Sequence, residues 1–164
     1  MKKAVFLIII ALTVLACKNK KEEIIEQNNM IVEDVSEFYR LHDKLFFLFE
    51  NDAKEIECLD TYDSLTIFLG QSLSKYDTIA PANDDIALIA AWKKFLNSYG
   101  EIIFAEYKEL LHIVVKPRYL FEAEDLQKLD SLYVIIDEKQ DVIDSEFFKA
   151  HDDYLMKHKI QTEE

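Results

Sequence analysis

Two glycines and two prolines are all the turn-forming residues of these kinds in a chain of 164. They stand at Gly70, Pro81, Gly100 and Pro117, so any fold must be built from a few long elements with short joints. The spacing of apolar residues then decides between helix and strand. No segment alternates with period two, whereas four segments repeat at three and four residues, the signature of one buried helix face.

The first segment covers residues 22–50, where Ile24, Ile31, Val35, Phe38, Leu45 and Phe49 share a face and Asn28 and His42 are the polar members of the seam. Asn51 and Asp52 then mark a turn. The second covers residues 53–76, with Leu59, Tyr62, Thr66, Leu69, Leu73 and Tyr76 as the expected seam. Gly70 inside it costs about 1 kcal/mol against Ala and suggests close approach of a neighbouring helix. The third covers residues 84–115, with Asn83 as the expected cap and a stripe from Leu88 through Trp92, Phe95, Tyr99, Ile103 and Tyr107 to Val114. The fourth covers residues 122–159, a heptad-like seam of Leu126, Leu129, Tyr133, Ile136, Ile143, Phe147, Ala150 and Tyr154 with Gln140 as its polar member. At 1.5 Å per residue it would be roughly 55 Å long. Four such helices with short connections predict an all-α fold, an up-down-up-down four-helix bundle.

The N-terminus carries a different signal. Lys2 and Lys3 precede an uncharged run over residues 4–16, followed at once by Cys17. The run is shorter than the ~20 apolar residues a membrane-spanning helix needs and reads as a signal-peptide core. Val14, Leu15, Ala16 and Cys17 resemble the bacterial lipobox, which implies cleavage before Cys17 and its modification with thioether-linked lipid and an N-acyl chain such as palmitate. Several chains anchor stably where one does not. The expected organisation is a signal peptide at 1–16, a lipidated tether at 17–23 and the bundle at 24–164. Lys21, Glu22 and Glu23 resemble the Lys-acidic-acidic signal that sends some Bacteroidota lipoproteins to the cell surface, and read equally as a solvated tether. The expected location is the outer membrane, on its periplasmic or surface side.

Charge narrows the partners. The chain has 32 acidic against 19 basic residues, a net charge of −13, and loss of Lys2 and Lys3 makes it two units more negative. Such a surface repels nucleic acid and anionic lipid. Cys58, the sole cysteine besides Cys17, has no intrachain partner and is expected as a buried, inert thiol.

Several segments together resemble a family of small uncharacterised helical lipoproteins from Bacteroidota and spirochaetes. They are residues 29–32 (Asn-Met-Ile-Val), residues 90–95 (Ala-Ala-Trp-Lys-Lys-Phe), Tyr99, residues 106–110 (Glu-Tyr-Lys-Glu-Leu), residues 124–126 (Glu-Asp-Leu), and residues 147–154, where His151 stands in place of an expected Gln. The resemblance implies a lipidated helical bundle and brings no activity and no functional residue with it.

No residue set specifies a reaction. A di-iron bundle needs two Glu-x-x-His pairs, and Glu109 with His112 supplies one, pointing away from the apolar stripe. His151 and His158 are two turns apart, too far to share an ion. Nucleophile elbows, phosphate loops and Cys-x-x-Cys are absent from the sequence. A non-enzymatic protein without cofactor or metal is therefore expected.

One feature stands out. Leu45, Phe46, Phe47, Leu48 and Phe49 are consecutive and cover the whole circumference of a helix, more than a simple bundle can bury. In the expected topology they meet Tyr119, Leu120 and Phe121 at the end remote from Cys17. Either the second segment folds over and seals the core, or Phe46, Phe47, Phe49, Tyr119 and Phe121 form an exposed tip. Such a tip would dock an envelope protein or a second copy. The expected function is a lipid-anchored, non-catalytic protein-binding or structural module, with a carrier of a small apolar ligand or haem as the alternative.

Overall fold

The computed structural model describes residues 2–51 and 53–160. The side chains of residues 2–19 and Asp84 lie outside the described residues, and with them the expected signal peptide and the Cys17 lipidation site. The chain is 89% helical with four helices and no strands among the described residues, an all-α protein. Helix α1 is Lys2–Glu50 and α2 is Glu55–Thr78. The third rod is continuous but composite: α3 (Ala87–Ile102), a π turn (Ile103–Tyr107) and α4 (Lys108–Val114). Helix α5 is Ala123–His158. Among the described residues no helix is long and apolar enough to cross a membrane.

The third rod is the hub of this bundle-like arrangement. Helix α3 packs against α2 on one side and α5 on the other, and α1 packs along α2 and touches α3. Backbones of α1 and α5 approach each other less closely, and side chains carry that contact. The core is aromatic. Phe38 lies edge-on to Phe95 at 5.0 Å and to Tyr99 at 4.6 Å between ring centroids, while Trp92 stacks on Phe95 at 4.9 Å. Phe147 of α5 closes the cluster at 5.0 Å from Phe95. Each such pair adds about 0.5–1.5 kcal/mol beyond the area it buries.

Three expectations need correction. The buried seam of α2 is Cys58, Thr61, Leu65, Leu69, Ser72 and Tyr76, displaced by one residue from the expected one at several positions, and Leu59 is 36% exposed. Thr61 and Ser72 are polar yet buried, so a reading that follows only apolar residues misses them. Gly70 lies on the exposed side, and a Cβ there would meet nothing within 4 Å, so no helix approaches it. Asn83 does not cap the third helix. It turns the chain with φ of 51° inside a short 3-10 turn, and Asp85 takes the role by accepting a hydrogen bond from the Ala87 N–H at 3.1 Å.

Asp85 also fastens the C-terminal end of α5. Its Oδ2 accepts from Lys157 Nζ and from His158 Nε2, each at 2.7 Å. Burial pushes this carboxyl up, but the bonds from Lys157, His158 and the Ala87 amide outweigh it and hold the pKa at about 2. At the other end of α5, the Glu122 N–H donates to Asp125 Oδ2 at 3.1 Å, half of a capping box that fixes where the helix begins. Lys116 bonds the same Asp125 at 2.8 Å, which ties the connection before α5 to its first turn.

Candidate binding groove at the tip

The end of α1, the end of α4 and the start of α5 converge around an open pocket of about 570 Å³. Its floor and walls are largely apolar: Leu48, Phe49, Val114, Phe121, Leu129 and Tyr133 line it, and Glu50 and Arg118 contribute the charged part of the lining. The five expected tip residues divide into three groups. Phe49 is buried, Phe46 and Phe121 are half-buried, and Phe47 and Tyr119 are exposed, at 63% and 85%. The segment after Pro117 therefore does both things the sequence left open. Phe121 folds inward against the end of the core, while Tyr119 and Leu120 stay in solvent on a 3-10 turn (Arg118–Leu120).

A second pocket, of about 370 Å³, adjoins the first and shares Glu50 and Tyr133 with it. Phe46, Val134, Asp137 and Gln140 complete much of its wall. The two form a groove in the seam where α1 and α5 are held apart. Two wall residues are themselves largely exposed, Leu126 at 53% and Val134 at 57%. Leu126 was expected in the buried seam of the fourth helix and instead stands at the edge of the groove.

The inner end of the groove rests on a buried polar relay. His42 Nδ1 donates to Asp43 Oδ1 at 3.0 Å, since a carboxylate can only accept. Nε2 is then the acceptor, and Tyr107 OH donates to it at 2.6 Å. The Gln140 amide nitrogen donates to Tyr107 OH and lies 2.7 Å from His42 Nε2. Burial lowers the His42 pKa, outweighing the opposite pull of Asp43 and Asp144, so the ring is held neutral. Phe46 stacks on His42 at 4.9 Å and meets Tyr107 at 5.2 Å, so the aromatic wall and the polar relay brace each other.

His42 and Gln140 were legible as the polar members of their seams, and the structure brings them together. Tyr107, read as one more residue of an apolar stripe, supplies the link. It arrives there through the π turn, whose extra residue re-phases the rod. Tyr133 and Val134 were not singled out as site residues, and their sequence signal is only that of a long amphipathic helix.

Two other histidines tie helices together, His158 through Asp85 and His151 through Asn28. His151 Nε2 bonds Asn28 Oδ1 at 2.9 Å across the α1–α5 seam. Glu109 and His112 are exposed, and Glu109 pairs with Lys128 at 2.5 Å. Among the described residues no group of three His, Cys, Asp or Glu side chains could hold a metal ion. Cys58 is buried, and burial raises its thiol pKa. Comparison with protein-family models, curated proteins and solved structures finds no match to this chain.

Proposed function

We propose that the chain is a lipid-anchored, non-catalytic binding module of the bacterial cell envelope, an up-down-up-down four-helix bundle that carries its binding surface at the end remote from Cys17. Cleavage before Cys17, its lipidation, the resemblance to small helical lipoproteins of Bacteroidota and spirochaetes, and attachment to the outer membrane all belong to this reading. Its support at the N-terminus is the order Lys2, Lys3, the uncharged run 4–16 and Cys17. From Cys17 to Glu50 is about 50 Å of helix at 1.5 Å per residue.

The observation that carries the binding role is exposure around the tip. Phe47, Tyr119, Leu120, Leu126 and Val134 are each more than half exposed, close in the fold to a pocket or forming its wall. Exposed large apolar residues gathered in one region mark interaction surfaces. A ligand small enough for the pocket would leave Phe47 and Tyr119 in water, and a protein partner covers them. The volume of about 570 Å³ favours the second reading, a carrier, because it falls within the 300–1,000 Å³ of ordinary ligand sites. Tyr133 is the side chain of a haem-ligating type in that lining, and the remaining wall is mostly apolar, which suits an apolar molecule.

A photocrosslinking residue at Phe47 or Tyr119, in cells, should capture one discrete envelope protein, and one at exposed Asp60 of α2 should not. These positions are exposed, so the fold survives replacement, unlike half-buried Phe46 and Phe121. Capture from Asp60 alone, or none from the tip, refutes the reading. Labelled palmitate should enter the wild-type chain and not Cys17→Ala.

A further inference from the structure

The groove between α1 and α5 has a charge pattern that selects its occupant. Asp130, Asp137, Asp141 and Asp144 are spaced by seven, four and three residues, which places them on one side of α5. Asp137 lines the groove there, and Glu50 lines it from α1. The basic residues of the same stretch lie elsewhere: Lys128 pairs with Glu109 and Lys139 with Glu106, each at 2.5 Å, on the side that faces the third rod. Glu50, Asp130, Asp137 and Asp141 have no ion pair among the described residues. One edge of the groove is thus acidic, while its floor and tip pocket are largely apolar, with Arg118 the basic residue of the tip pocket's lining.

We propose that this groove receives a cationic amphipathic helix of a partner protein, its apolar stripe on the pocket floor and its Lys or Arg side chains along the Asp137 edge. The inference rests on the binding-module reading and names the partner's chemistry. From Leu126 at the tip to Gln140 at the inner end is about 21 Å of α5, which matches about four turns of a docked helix. An amphipathic helix laid in an apolar groove is anchored at every third or fourth residue, and the two adjoining pockets offer two such anchoring points. A second copy is disfavoured, because a self-complementary contact would set this acidic edge against its own equivalent. An anionic amphiphile meets the same repulsion.

The full chain in phosphatidylcholine nanodiscs, with empty discs as the blank, is titrated into three fluorescein-labelled 14-residue peptides. One carries Leu at helical spacing on a Lys background, one is its scrambled isomer, and one is the Leu/Glu analogue. The segregated Leu/Lys peptide should bind saturably at one per chain, its isomer at least tenfold more weakly, and the Leu/Glu peptide not at all. Leu126→Ser with Val134→Ser, both at exposed positions, should weaken binding at least tenfold with the helical circular dichroism unchanged. Asp137→Asn with Asp141→Asn should weaken it several-fold and flatten its salt dependence, while Asp60→Asn with Asp63→Asn on α2 should not. Equal binding of the scrambled isomer, or equal loss from the α2 pair, overturns the proposal in favour of diffuse attraction. Stoichiometric uptake of dodecylamine with no peptide binding overturns it in favour of a small-ligand pocket, and concentration-dependent dimers that exclude the peptide overturn it in favour of a second copy. Crosslinking from Tyr119 that persists while the peptide fails to bind overturns this assignment alone. Loss of both removes the binding-module reading as well.

Discussion

Removal of the Tyr107 hydroxyl and the Gln140 amide, singly and together, tests the relay beneath the groove. His42 Nε2 has one lone pair and two donors within reach, Tyr107 OH at 2.6 Å and the Gln140 amide nitrogen at 2.7 Å. Tyr107→Phe keeps the ring that meets Phe46 and leaves Gln140 to donate to His42 instead. Its cost is one net hydrogen bond, about 1 kcal/mol. Gln140→Leu keeps the Tyr107 bond and costs about 1 kcal/mol or less, because Gln140 is only half-buried. The double variant removes both donors and strands a buried acceptor, which costs about 1–3 kcal/mol more than the sum of the single changes. Urea unfolding followed by circular dichroism measures all four corners of the cycle, on the chain from residue 17 carrying Cys17→Ala, with the slope expected to be constant. A double variant additive to within about 0.5 kcal/mol would show that the two donors do not share one acceptor, and the tautomer assigned to His42 would fall with it.

Gly70→Ala should stabilise the chain by about 0.5–1 kcal/mol, since Gly70 is inside α2, exposed, and clear of neighbours for 4 Å, and an unchanged or lowered urea midpoint would contradict that. Burial holds both His42 and His151 below the ordinary 6.5, so on acidification the unfolded chain takes up these protons first. Stability is therefore complete above about pH 6.5 and declines below it, by up to about 1.4 kcal/mol per pH unit for each group. Urea midpoints measured from pH 7.5 to 5 should fall, and a flat profile there would refute the burial argument. Asp85, held at about 2, contributes in a separate window, present above its unfolded value of 3.8 and lost as pH falls towards 2. Asp85→Asn should flatten that lower limb and leave the upper one intact.

Residue spacing revealed the rods, and particular residues show where it stopped. Ile31, Phe38 and Leu45 lie at steps of seven and are all fully buried, because a long helix packed on one side must repeat its apolar face. The α2 seam slipped because Thr61 and Ser72 occupy core positions that apolar counting skips, while Ile56 and Ile67 are apolar yet more than half exposed. The excess of apolar residues around Phe46 and Phe47 pointed to the tip, since no helix can bury its full circumference. Which of them would face solvent depended on how the connection after Pro117 folds, and that is set by contacts between distant segments. The groove itself had no sequence signal of its own. It arises because α1 is packed along α2 and α5 on α3, which leaves a seam between α1 and α5.

The π turn gives the third rod a property of its own. An extra residue in one turn shifts the angular phase of everything after it by about 100° relative to a regular helix. Residues before Ile103 address the aromatic core, and residues after Tyr107 address the tip, so the two halves are tuned separately. Regular winding with every residue retained would leave Trp92 and Phe95 in place and rotate Leu110 and Val114 away from their present neighbours, whereas deleting Ala105 removes the extra residue and its lag together and leaves both facing as they do now. Without the turn, the same sequence would lose the pocket wall contributed by Val114 and keep most of its core. The turn and its extra residue are thus a matched pair, and the binding end keeps its aim when both are present or both are removed.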